Sequence, residues 1–118
     1  MIMASGPVTP AYRYRATVDR VIDGDTYILR LDLGFRAGLT INLRVRGYDA
    51  PELHGPDHVR GTDARLAAMK LLAEATVIVV ETYKDTQSFA RWIGDVYIDG
   101  VSIVDALVAG GHVKGDRP

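Results

Sequence analysis

Three β-rich stretches stand ahead of the one long helical pattern in this chain, and that order limits the folds open to it. Tyr12–Val18 is β-rich, partly alternating, and continues toward Ile22. Thr26–Leu33 alternates apolar with polar residues from Ile28 on. In Leu39–Val45, Leu39, Ile41, Leu43 and Val45 fall on one face. Thr40, Asn42, Arg44 and Arg46 fall on the other, because side chains alternate along a strand. Gly61 to Ala75 then reads as a helix, capped by Thr62 or Asp63, with an apolar stripe of Leu66, Met69, Leu72 and Ala73. Thr76–Tyr83 is the strongest strand pattern, Lys84–Ala90 a polar connection, and Trp92–Ile98 a further strand. Asp99-Gly100 turns that strand tightly into Val101–Ile103. Ser102 can cap a short helix, Ile103–Ala109, that Gly110-Gly111 ends.

Strands and helices do not alternate, which disfavours a parallel α/β sheet. The expected class is α+β, mainly β: a five-stranded OB-type barrel with a helix after strand 3 and a short C-terminal helix. A length of 118 residues suits one domain. Residues 1–11 read as a flexible N-terminal tail, 12–113 as the domain and 114–118 as a C-terminal tail. The chain has no cysteine, which removes disulfides and thiolate metal sites. No run approaches the roughly 18 apolar residues of a membrane span, so no membrane partner is expected. Met1–Pro10 has neither a basic nor a long apolar region of the secretory kind. A cytoplasmic location is the default expectation, with secretion open for a processed form. The net charge of −1 and pI near 6.3 argue against a non-specific DNA coat, not against an enzyme with a local basic pocket.

Charge is concentrated in two segments. Ile22-Asp23-Gly24-Asp25-Thr26 is followed about twenty residues later by Arg44-Val45-Arg46-Gly47-Tyr48-Asp49-Ala50-Pro51-Glu52. Asp-Gly is a common turn dipeptide, so the first segment is open to a turn or a site. In the second, Pro51 fixes its own φ and pushes Ala50 out of the helical region. That stiffens the backbone around Asp49 and Glu52 and makes the Ala50 carbonyl a possible rigid ligand. Carboxylates in this number repel unless a cation joins them, and planar guanidiniums match phosphate oxygens in pairs. A hard cation held by oxygens, together with arginines, reads as phosphodiester chemistry. Arg91 stands next to Trp92 at the entry to a strand. His54 and His58 are four apart, but Gly55 and Pro56 between them favour a loop over a helical metal site.

These motifs in this order resemble the staphylococcal-nuclease-like (thermonuclease) family over about Tyr14 to Val113. They are Ile22-Asp-Gly-Asp-Thr26, Arg44-x-Arg-Gly-x-Asp-Ala-Pro-Glu52, Gly61-x-x-Ala64, Arg91, Asp99-Gly100 and Ala106-Leu-Val-x-x-Gly111. The resemblance implies one Ca²⁺ bound by the carboxylates of Asp25 and Asp49 and by the Ala50 carbonyl. It implies Glu52 as general base on a water, and Arg44 and Arg91 on the scissile phosphate. Arg46 and Phe89 are the further substrate-binding candidates. The implied reaction is hydrolysis of DNA or RNA to 3′-phosphate products, with single-stranded or A·T-rich substrate preferred and a monomer expected. Phe89-Ala90-Arg91 departs from the usual Tyr-Gly-Arg, keeping a stacking ring without the hydroxyl. The rival expectation is a catalytically weak or inactive barrel of the same kind that binds nucleic acid or protein.

Overall fold

A long, bent first strand is what lets so short a chain close a barrel. The computed structural model describes residues 12–82 and 92–114. Strand β1 (Tyr12–Asp23) pairs along Arg15–Asp23 with β2 (Thr26–Gly34) and along Tyr12–Ala16 with β4 (Ile78–Thr82), both antiparallel. Register shifts between Val18 and Arg20 and between Val21 and Asp23 bend β1, which lets it serve both neighbours. β2 pairs with β3 (Ala37–Val45), and β4 with β5 (Trp92–Ile98), again antiparallel. Parallel pairing of Leu43–Val45 with Trp92–Gly94 closes the five-stranded mixed barrel. A two-residue strand β6 (Val101–Ser102) folds back on β5 through Asp99 and Gly100, both at positive φ. This is the OB-type α+β barrel expected from the element order, with helix α1 (His58–Glu74) after the third strand and helix α2 (Ile103–Ala109) at the end.

Alternation fills the barrel. Tyr27, Leu29 and Leu31 of β2 point inward, as do Ile41, Leu43 and Val45 of β3 and Val96 and Ile98 of β5. Leu39, assigned to that inner face, is half exposed because it lies near the hairpin tip, beyond the barrel's interior.

Three local expectations are corrected. First, the helix starts at His58, not Gly61, so Thr62 and Asp63 lie inside it rather than cap it. Pro56 sits in the first positions of a 3-10 turn, Gly55–Asp57, and its fixed φ starts the helical path early. Second, the buried stripe of α1 is Gly61, Ala64, Ala68 and Leu72. Leu66 is 51% and Met69 40% exposed, and Ala73 is exposed too. Small residues let α1 sit close on the loop after β3, and large ones at these positions would hold it away. Third, β4 begins at Ile78 rather than Thr76. The Asp99 carboxylate accepts the Thr76 amide at 3.1 Å and the Val77 amide at 2.8 Å, diverting both from the sheet.

Candidate functional site

The site forms where the β1–β2 turn, the end of β3 and the loop before α1 meet. Gly24 makes the meeting possible. A Cβ there would lie 2.8 Å from the Ala50 Cβ and 3.0 Å from the Ala64 Cβ. The turn, the Ala50-Pro51 corner and α1 therefore touch at one point. Tyr27, fully buried, donates its hydroxyl to the Gly24 carbonyl at 2.6 Å and pins the turn from below. Its pKa is driven far up, mainly by burial. On the other flank, the Tyr48 hydroxyl donates to the His112 carbonyl at 2.6 Å. Burial and the nearby acids raise the Tyr48 pKa to about 12.

Asp25 is only 6% exposed. Its Oδ1 accepts the Thr26 hydroxyl at 3.0 Å, and its Oδ2 accepts the Ala50 N–H at 3.0 Å. Burial pushes its pKa up, but hydrogen bonds from Asp23, Ala50 and Thr26 and the Arg44 charge outweigh it and hold the carboxyl below its ordinary value. Asp23 moves the other way, up to about 6, through burial first and then the hydrogen bond and charge of Asp25. The two acids are thus pushed in opposite directions, Asp23 above and Asp25 below the ordinary carboxyl value.

Arg44 joins the acids. Its Nη2 lies 3.6 Å from Asp25 Oδ2 and 3.3 Å from Asp49 Oδ1. Lys114 completes the cluster, with Nζ 3.2 Å from Asp49 Oδ2 and 3.7 Å from Glu52 Oε2. The acids hold the Lys114 pKa up, the Asp49 hydrogen bond most of all. The structure therefore brings together Asp25, Arg44, Asp49, Ala50 and Glu52. It turns Arg46 elsewhere, into a two-pronged contact with Asp95 at 3.3 and 3.1 Å. Arg46 was expected on the same face as Arg44. It lies just past the end of β3, where its amide donates to the Gly94 carbonyl at 2.8 Å and its side chain follows β5. Phe89, Ala90 and Arg91 lie outside the described residues. His58 accepts no site role: it is exposed, with Nδ1 3.1 Å from the Gly55 carbonyl. Lys114 escaped the sequence reading, which placed it in a tail. No local motif marks it, and only the chain's return past α2 brings it to Asp49.

Among the described residues, no group of three or more acidic, histidine or cysteine side chains is drawn together closely enough to hold a metal. The groups that do converge on Arg44 are the Asp25 and Asp49 carboxylates, and the Ala50 N–H donates to the first of them. Asp25 and Asp49 already share one cationic nitrogen, so a hard cation such as Ca²⁺ fits the chemistry of the pair.

The fold is an OB-type barrel with an acid–guanidinium cluster at one end. No protein-family model matches the chain. Over 70 residues, 59% of its length, it is 34% identical to "Probable staphylococcal-like nuclease CAN2" of Oryza sativa subsp. japonica, of which the match covers 18%. It is likewise 34% identical over 70 residues to "Probable staphylococcal-like nuclease CAN3" of the same plant, covering 17% of that protein. The matched segment is thus less than a fifth of each relative's length. These matches support the staphylococcal-nuclease-like family for this chain and a relationship to nucleases.

Proposed function

We propose that this barrel is a Ca²⁺-dependent endonuclease that hydrolyses DNA or RNA to 3′-phosphate products. The observation that carries the reading is Arg44 spanning Asp25 and Asp49, with Glu52 tied to the same cluster through Lys114. Asp25, Asp49 and the Ala50 carbonyl would hold the cation, which when bound supplies positive charge beside the scissile phosphate. Arg44 and Arg91 would grip the non-bridging oxygens, where charge grows in the transition state. Glu52 takes a proton from the attacking water as its oxygen bonds to phosphorus. The bond from phosphorus to the 5′-oxygen breaks, and that oxygen takes a proton from solvent. The products are a 3′-phosphate and a 5′-hydroxyl. Contacts of this kind are to phosphate, so no sequence-specific readout is expected and single-stranded or breathing A·T-rich substrate is favoured. The active unit is residues 12–113 with Lys114, acting as a monomer.

The test is cleavage of plasmid and of a short oligonucleotide with Ca²⁺ and with excess EGTA. Ca²⁺-dependent cleavage leaving 3′-phosphate ends is expected, and undiminished cleavage in EGTA refutes the metal assignment. A second reading, binding without hydrolysis, is favoured by Lys114, which neutralises Asp49 and Glu52 together. Oligonucleotide binding with no cleavage at any Ca²⁺ level would select it.

A further inference from the structure

The opposite end of the β1–β2–β3 face carries a feature that the candidate site does not use. A groove of about 460 Å³ runs across it, lined by Arg15, Arg30 and Arg36 among others. Asp32 is the one acidic residue in its lining, and its Oδ1 accepts the Gly34 N–H at 2.8 Å. Among the described residues, none of the three arginines makes an ion pair. Arg30 lies flat across the neighbouring strand: a Cβ at Gly38 would sit 2.6 Å from its Nη2.

The rim of the groove is strained. Phe35 and Arg36 form the two-residue loop between β2 and β3, with φ of 54° and 63°. Both positions favour Asn or Gly, and left-handed geometry disfavours the residues actually present. The Phe35 ring stands fully in water, at 104% relative exposure. A solvent-facing aromatic next in the chain to Arg36, at the end of a groove lined by three unpaired guanidiniums, is the combination that stacks a base and tracks a phosphate backbone. Leu33 and Leu39 flank the tip, but a purely apolar partner would desolvate the guanidiniums without pairing them.

We propose that this groove is a distal binding site for the phosphodiester backbone of a single-stranded nucleic acid, with Arg15, Arg30 and Arg36 on phosphates and Phe35 stacked on a base. The proposal rests on nucleic acid being the substrate. Arg30 stands five residues along the chain from Asp25, which immediately precedes β2, about 17 Å at strand spacing. That is about five nucleotides at the roughly 3.4 Å per-strand rise of B-form stacking and fewer in an extended strand. A trimer can fill one site at a time, whereas a dodecamer can span both.

The experiment is fluorescence anisotropy with dT₁₂ and dT₃ in EGTA, where nothing is cleaved, over a salt series. The variant is Phe35→Asn/Arg36→Gly with Arg15→Gln. Asn-Gly suits this turn better than the parent pair, so a misfolded hairpin is not expected. A melt at or above the parent midpoint confirms that. Binding of dT₁₂ should weaken at least about fivefold from lost stacking. The salt slope should flatten by about 1.4, for two phosphate contacts at roughly 0.7 each. Cleavage of dT₃ with Ca²⁺ should match the parent. Unchanged dT₁₂ affinity and slope overturn the proposal, and so does a loss of dT₃ cleavage as large as the loss of dT₁₂ binding. If the parent never cleaves, the nuclease reading fails, while the anisotropy still decides the groove.

Discussion

Gly61→Ala pits two effects against each other, and the structure decides between them. In a helix, alanine is favoured over glycine by up to about 1 kcal/mol. Gly61 lies in the first turns of α1, so the gain is at most that. Against it, a Cβ at 61 would fall 2.1 Å from the Glu52 carbonyl oxygen, 2.5 Å from its carbon and 2.9 Å from the Leu53 nitrogen. All three are backbone atoms of the segment that carries Glu52, so no side chain can swing aside. Overpacking of this kind costs roughly 1–3 kcal/mol, and a backbone obstacle belongs at the upper end. A cost of about 3 offset by about 1 leaves a net loss of about 2 kcal/mol. For a domain near 100 residues that is a fall in Tm of about 10 °C. Thr62→Ala, next door and exposed, shares the propensity gain without the clash and should not lower Tm. Melts followed by circular dichroism measure both. If Gly61→Ala melts at or above the parent, the close approach of α1 to the Glu52 backbone is wrong. If cleavage is present, it should fall further than stability alone requires, since Glu52 moves with the displaced backbone.

Further outcomes follow from the acid cluster. Asp25→Asn should lower metal-free stability by about 1–3 kcal/mol, because Asp25 is buried, accepts from the Ala50 N–H and the Thr26 hydroxyl and lies 3.6 Å from the Arg44 Nη2, while Asp49→Asn, 62% exposed at the side chain, should be close to neutral. Equal chemical-denaturation midpoints for the two would contradict this. Asp23→Asn keeps an acceptor for the Asp25 N–H, 3.1 Å from Oδ1, but cannot ionise. The Asp23 pKa is higher folded, about 6, than its ordinary 3.8, so the parent loses stability as pH rises through that window. The Asn variant should therefore melt higher than the parent at pH 7.5 in metal-free buffer and show no gain at pH 4. A constant offset at both pH values would refute the assignment. Arg44→Ala should lower kcat on the order of 10²–10³-fold, with little rescue by Arg44→Lys. It should also tighten Ca²⁺ binding by calorimetry, since Arg44 competes for Asp25 and Asp49. Weaker Ca²⁺ binding would mean that Arg44 helps to build the cation site.

The barrel was legible because its signals are local. Alternation in Tyr27, Leu29 and Leu31 names an inner face directly, and Asp99-Gly100 announces its own hairpin. The motif segments likewise marked Asp25, Arg44, Asp49, Ala50 and Glu52, since turn and proline chemistry are written in neighbouring residues. What the sequence could not determine is whatever depends on which distant atoms fill a space. The helix face was misassigned because hydrophobicity favours Leu66 and Met69, while the actual constraint is how little room Glu52 and Leu53 leave at Gly61. Arg44 and Arg46 share a strand face in sequence, yet closure against β5 gives one to the acids and the other to Asp95. Lys114 joins Asp49 and Glu52 only through the path of the chain around α2. The opposite protonation tendencies of Asp23 and Asp25, two residues apart, are also tertiary. Both side chains are partly desolvated, but the Ala50 amide and Arg44, which arrive only once the barrel has closed, stabilise the charge on Asp25 alone.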